Sequence, residues 1–303
     1  MLACSKKIWK LLETIIYILL YASTILIVII AIIITALLLK DSVKFFLNIA
    51  IYKFLFGTIW NIQDLTNPLF GTIPLVFGSL LVAIIAITIA TPISVASAIY
   101  IAYFCKKKTR NNLITFFEIV GGLPSVVFGY FAISTIGPLL SNIASTLNIN
   151  SQYENTLSAG INIGIMIMPT ITLMSLTAIM EIQNTLFNAS IALGATKVET
   201  IRRISLPMSY KKIANAVLLS FARAIGETTI VIMAAGNIPE ITYNVFQPIA
   251  TITSQMSLLL RSDHDFNSIN TAAAYALGIL LLTITFTINY TAILISRKKK
   301  LNT

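Results

Sequence analysis

The sequence predicts an all-α integral membrane protein of about six transmembrane helices, on three observations. Of its 303 residues 57% are hydrophobic and 11% charged, and the mean hydropathy is +0.88. That is more apolar surface than one soluble globule of this length can hide. Six largely uncharged runs reach the roughly 20 apolar residues needed to cross a hydrocarbon core. The basic residues fall in clusters between alternate runs, the signature of loops held on the cytoplasmic side.

The first run, residues 14–39, lies between Glu13 and Lys40. It is too long for a secretory signal and has no small-residue cleavage site, so it reads as a retained anchor. The second lies within residues 72–104 and the third within 112–140, with a basic cluster between them. The fourth covers about 158–180, the fifth about 213–235 and the sixth about 271–295. This gives three segments: an anchor helix with a first external loop (1–71), a membrane domain (72–296) and a basic tail (297–303).

Charge orients these spans. Sixteen of the 21 Lys and Arg residues fall on one set of loops: Lys6, Lys7 and Lys10; Lys106, Lys107, Lys108 and Arg110; Lys197, Arg202, Arg203, Lys211 and Lys212; Arg297 through Lys300. The opposite loops hold Lys40, Lys44, Lys53 and Arg261, diluted by Asp41, Asp64, Glu154, Glu240, Asp263 and Asp265. Both termini are therefore expected in the cytoplasm. The net charge of +10 then marks a membrane face and the basic tail a contact with anionic lipid, with no nucleic-acid partner implied. Cys4 and Cys105 fall on the reducing side, which argues against a disulfide framework. His264 stands alone, so no zinc centre is expected.

No Gly-x-x-x-x-Gly-Lys-Ser/Thr stretch, nucleophile elbow or His-Glu-x-x-His occurs. The chain is expected to be non-catalytic and to bind no cofactor of its own. If it pumps, a partner must bind and hydrolyse ATP, and the sequence should carry a surface for that partner. Residues 181–212 supply one, since about thirty residues is long for a connection. Within them Asn188-Ala189-Ser190-Ile191-Ala192-Leu193-Gly194-Ala195-Thr196-Lys197-Val198-Glu199-Thr200-Ile201-Arg202-Arg203-Ile204-Ser205-Leu206-Pro207 reads as two short helices. Small residues at 189, 190 and 192 permit close approach of another surface. Gly194 suits a left-handed helix C-terminus, and Pro207 is expected to stop the second helix.

This stretch resembles the cytoplasmic coupling motif of type I ABC importer permeases: Glu-Ala-Ala, a glycine a few residues on, and an Ile-x-Leu-Pro ending. Gly194 and the ending Ile204 to Pro207 match; Asn188 stands where the family has Glu, and Ser190 where it has the second Ala. In that family the first short helix sits in a groove of the ATPase. Across residues 54–295 the resemblance narrows to the phosphate branch of the PstC type. It rests on Trp60-Asn61 with Phe70-Gly71-Thr72-Ile73-Pro74, and on Glu118 with Gly122-Leu123-Pro124-Ser125. Arg223-Ala224-Ile225-Gly226-Glu227-Thr228 with Gly236-Asn237, and Thr251-Ile252-Thr253-Ser254, complete it. The PstA type shares the Arg-Ala-x-Gly-Glu-Thr stretch, but the Gly-Asn ending and the Trp-Asn segment favour PstC.

The resemblance implies a permease subunit of an ATP-driven, binding-protein-dependent phosphate importer in the bacterial inner membrane. Its implied partners are a PstA-type permease, two copies of a PstB-type ATPase and a soluble phosphate-binding protein. Other small oxyanions such as sulfate or molybdate remain open, as does an ion-driven secondary transporter.

The residues support an anion path independently of the resemblance. Arg223 and Glu227 are ionisable groups inside an apolar run, where charge is costly and faces a protein or water-filled interior. Four residues apart on one helix face, they can pair. A guanidinium presents a planar fork suited to phosphate oxygens, so Arg223 is the expected substrate contact with Glu227 as counter-charge. Glu118 is a third path candidate, close to the cytoplasmic surface. Pro74, Pro92, Gly121, Gly122, Pro124, Gly129, Gly164 and Pro169 mark points where the spans can kink, as hinges or as ordinary packing.

Overall fold

The computed structural model describes residues 2–62, 68–182, 184–262 and 268–297. The charged residues Asp64, Asp263, Asp265 and Lys298–300, with His264, lie outside them, as does most of the 297–303 tail. Helix dominates because lipid offers no partner to a backbone N–H or C=O. Among the described residues, five helices are long and apolar enough to cross a membrane: Glu13–Asn48, Ile73–Tyr103, Ser125–Thr146, Thr156–Met180 and Ile269–Ile295. The fifth expected span, 213–235, is present as two pieces.

Helix α1, Leu2–Asn48, continues well past residue 39. Its first polar turn does not end it, because Asp41 and Lys44 pair at 2.9 Å one turn apart. Beyond it come α2, Ile51–Phe56, and a two-residue hairpin, β1 Trp60–Asn61 with β2 Leu69–Phe70, in which Trp60 faces Phe70. Phe45 is fully buried and meets Phe46, Phe54 and Phe70 edge-on, with ring centroids 5.2–5.3 Å apart. These edge-to-face contacts bind the end of the anchor to the hairpin.

The core is helix α3, Ile73–Tyr103, lying along a later helix, Thr156–Met180. Small residues let the two approach. A Cβ at Gly164 would stand 3.1 Å from the Ala86 carbonyl oxygen, so Gly164 serves close packing. Pro74 sits in the first turn of α3 and begins that helix, which corrects its reading as a kink.

The expected third span, 112–140, is a broken helix. It comprises α4, Lys107–Gly121, then α5, Ser125–Phe131, a π-turn over Ala132–Ile136, and α6, Gly137–Thr146. Pro124 adopts extended dihedrals (φ −60°, ψ 140°). It has no N–H for a helix and disfavours helix at Leu123. Apolar composition reads straight through such a break.

After α7, Thr156–Met180, come α8, Asn184–Ala192, and α9, Lys197–Thr200. The chain then stays helical through a π-turn, Ile201–Ser205, into α10, Leu206–Ile225. Pro207 therefore opens a long helix and does not stop one, contrary to expectation; it lies in the first turn of α10, where the π-turn has already displaced the backbone bonding. The fifth expected span breaks in turn at residues 226–228 before α11, Thr229–Ala234. Helices α12, Ile252–Ser262, and α13, Ile269–Arg297, complete the chain. The α13 residues Ala273, Ala274 and Leu277 share a buried cluster with Phe45 of α1.

Candidate functional site

Both broken helices converge on the middle of α7. A Cβ at Gly121, the last residue of α4, would meet the Pro169 ring at 3.3 Å. On the neighbouring residue, the Thr170 hydroxyl accepts a hydrogen bond from Arg223 Nη1 at 3.3 Å. The segments beyond the breaks also meet: a Cβ at Gly129 of α5 would approach Ile230 and Met233 of α11. Two interrupted helices thus face each other beside an uninterrupted one, an arrangement lipid tolerates only where protein or a cavity takes up the freed backbone groups.

Arg223 lies in the last turn of α10 with its side chain exposed. Glu227 is half-buried and belongs to the break, so the two do not share a helix. Glu227 Oε1 accepts from the backbone N–H of Thr229 at 3.1 Å and of Ile230 at 3.4 Å, satisfying the first donors of α11. The expected Arg223–Glu227 ion pair is not formed, because the carboxylate is held by backbone donors across the break. Among the described residues, the ion pairs are Lys44–Asp41 and Lys212–Glu181. Glu118 is exposed on α4, one turn before Gly121.

Behind the break stands a buried hydroxyl cluster made by Ser79 and the Thr251–Ser254 stretch. Thr253 Oγ1 donates to the Glu227 carbonyl at 2.8 Å, Ser79 Oγ accepts from the Ile252 N–H at 3.0 Å, and Ser254 Oγ accepts from the Thr251 N–H at 3.0 Å. Gln255 accepts from Trp60 Nε1 and donates to the Asn237 carbonyl, each at 3.2 Å. Thr170 and Gln255 were missed, and Thr253 was read only as part of the resemblance. The helix start itself was readable, since Thr251-x-x-Ser254 is a helix-start pattern and the two residues bond each other reciprocally.

The 181–212 connection forms two short helices, as expected. Gly194 takes φ +91°, donates its N–H to the Ile191 carbonyl at 2.9 Å and turns the chain after α8. Asn188, Ala189, Ala192 and Gly194 are exposed and Ala195 half-exposed, while Leu193 stands 89% exposed at the tip. Ser190 Oγ instead turns inward, 2.9 Å from Thr200 Oγ1. Leu206 packs on the buried cluster of Ile101, Ile179 and Ile213, whereas Pro207 is exposed.

Thr196 and Glu199 form a capping box that starts α9. The Thr196 backbone N–H, then its hydroxyl, then the charge of Arg203 hold the Glu199 carboxyl below its ordinary range. The Lys212–Glu181 ion pair draws together the two ends of the loop. Among the described residues, no group of three His, Cys, Asp or Glu is placed to hold a metal ion.

A bundle with two mid-depth helix breaks and a paired-helix loop beneath it has the fold of a type I ABC importer permease. A solved bacterial alginate ABC transporter, in complex with an alginate pentasaccharide-bound periplasmic protein, contains a chain that superposes with a TM-score of 0.64. The match covers 92% of this chain and 94% of that one at 18% identity, a likeness of fold. Residues 90–300 match the model of the binding-protein-dependent transport system inner membrane component. A probable ABC transporter permease protein, YqgH of Bacillus subtilis (strain 168), is 31% identical over 234 residues, 77% of this chain and 74% of that protein. The phosphate transport system permease protein PstC of Mesorhizobium japonicum is 28% identical over 252 residues, 78% of this chain and 76% of that one. The chain belongs to the binding-protein-dependent transport system inner membrane component family; it is a multi-pass, non-catalytic membrane subunit.

Proposed function

We propose that this chain is the PstC-type permease of a phosphate importer, forming half of the path with a PstA-type permease. Two copies of a PstB-type ATPase dock on the loop of α8 and α9 and hydrolyse the ATP, and a soluble phosphate-binding protein delivers substrate from outside. The permease domain is residues 72–296, both termini are cytoplasmic, and the chain binds no cofactor. Arg223 meets the anion, with Glu227 and Glu118 lining the same path.

One observation carries the reading. The Arg223 guanidinium, in the last turn before one helix break, donates to a neutral hydroxyl on α7, while the nearest carboxylate in sequence is occupied by backbone donors. An Arg fork without a bound carboxylate suits a tetrahedral oxyanion. The PstC names of relatives such as that of Mesorhizobium japonicum support phosphate among such anions.

Uptake of labelled phosphate into vesicles holding the four components tests it, comparing wild type with Arg223→Ala at equal assembly. The expected result is ATP-dependent uptake that excess sulfate leaves intact and Arg223→Ala abolishes. Uptake unchanged by Arg223→Ala removes that residue from the path, and an intact complex that carries sulfate in place of phosphate overturns the substrate.

A further inference from the structure

On the permease reading, movement of the ATPase must reach the membrane helices from α8. That helix is mostly exposed. Phe187, on its body, is half-buried against Tyr103, the last residue of α3; the rings stack with centroids 4.6 Å apart and planes 12° from parallel. The Tyr103 hydroxyl continues inward and donates to Ser205 Oγ at 2.7 Å. Ser205 is buried and closes the π-turn that leads into α10, the helix carrying Arg223.

A single side chain therefore touches the docking helix with its ring and the base of the substrate-bearing helix with its hydroxyl. It also ends the helix that lies along α7. The α3 end is itself held: the Arg110 guanidinium donates to the Ile101 and Ala102 carbonyls, so Tyr103 projects from a fixed stub. The π-turn is the least regular part of the α9–α10 rod, and such turns give way at lower cost than regular helix.

We propose that Tyr103 is a positioning residue for energy coupling, which converts displacement of α8 into movement of α3 and of the π-turn below α10. This rests on the proposal that α8 docks the ATPase. Coupling of this kind is a free energy shared between two sites and is measured as the ratio of transport to ATP hydrolysis.

The test uses the whole reconstituted complex of this permease, its partner permease, the ATPase and the binding protein. ATPase content, ATP hydrolysis and phosphate uptake are measured on the same vesicles. Tyr103→Ala and Phe187→Ala are each expected to keep the ATPase bound and hydrolysing while uptake per ATP falls about tenfold. Tyr103→Phe, which keeps the stack and loses the hydroxyl, should lie between them and wild type. The double variant should be no worse than Tyr103→Ala, since Phe187→Ala removes only the stack that Tyr103→Ala has already lost.

Three outcomes overturn the inference. An unchanged uptake-to-ATP ratio in Tyr103→Ala does so alone. ATPase lost from Phe187→Ala in proportion to lost uptake makes the stack a docking contact and not a transmission element. A wild-type complex that retains no ATPase overturns the permease reading and this inference with it.

Discussion

Arg223 reaches from α10 to α7, where its Nη1 donates to Thr170 Oγ1 at 3.3 Å, and leaves Glu227 to the backbone of the break. The cation is thus oriented by a neutral partner. A hydroxyl can hold a guanidinium in place while leaving its charge and most of its donors to an incoming anion.

Glu227 separates two roles cleanly. If its carboxylate serves as an acceptor for α11, Glu227→Gln retains an oxygen for the Thr229 and Ile230 donors and uptake stays within about threefold of wild type. Glu227→Leu leaves both donors bare at an expected cost of about 1–3 kcal/mol, seen as a lower thermal midpoint and lost uptake. Equal loss in both variants would instead show that the negative charge itself is needed.

Arg223→Lys keeps the charge and removes the planar fork. The expected result is a loss of about tenfold in uptake efficiency with unchanged assembly, since an ammonium cannot make two parallel bonds to one oxyanion. Concentration-dependent uptake checks it, and wild-type efficiency in Arg223→Lys would mean that charge alone suffices.

A Cβ at Gly78 falls on the Ala250 carbonyl oxygen, a backbone atom with little room to retreat. Gly78→Ala is expected to destabilise the subunit by about 1–3 kcal/mol. Gly278→Ala is the control: its Cβ would meet the flexible end of Leu38 at 3.3 Å, so its thermal midpoint should stay near wild type.

The capping box gives a pH dependence. The Glu199 carboxyl is held below its ordinary value of 4.5, first by the Thr196 backbone N–H and then by its hydroxyl. A depressed folded pKa means the contribution is complete above the ordinary value and is lost as pH falls through the folded one. Hydrogen exchange at the Thr196 and Glu199 amides, corrected for intrinsic rates, should therefore be level from pH 8 to about 5 and rise below. Glu199→Gln should weaken protection already at pH 7.

The helices that cross unbroken were legible because length and apolarity decide them: α3, α7 and α13 lie close to the runs read for them. The breaks were not. Gly122-Leu123-Pro124 carries a helix-breaking signal, yet Ile119, Val120 and Val126 on either side keep the run apolar. At 226–228 even that signal is weak, because what holds the break open is tertiary, the Thr253 hydroxyl on the Glu227 carbonyl. Thr170 escaped notice for the same reason, as one threonine among several in α7 is marked only by the Arg that reaches it. Gly194 was readable because its conformation is a local property of the chain.

The packing of α1 against α13 sets an order of events during biogenesis. The anchor leaves the ribosome early, and its 36-residue apolar span, with none of its most apolar stretch buried, can enter the bilayer by itself. The helix that shelters Phe45 is the last of the described helices to be synthesised. Until then the aromatic nest at Phe45, Phe54 and Phe70 lacks the α13 wall of its buried cluster, so the subunit's first-made segment is completed by its last-made described helix.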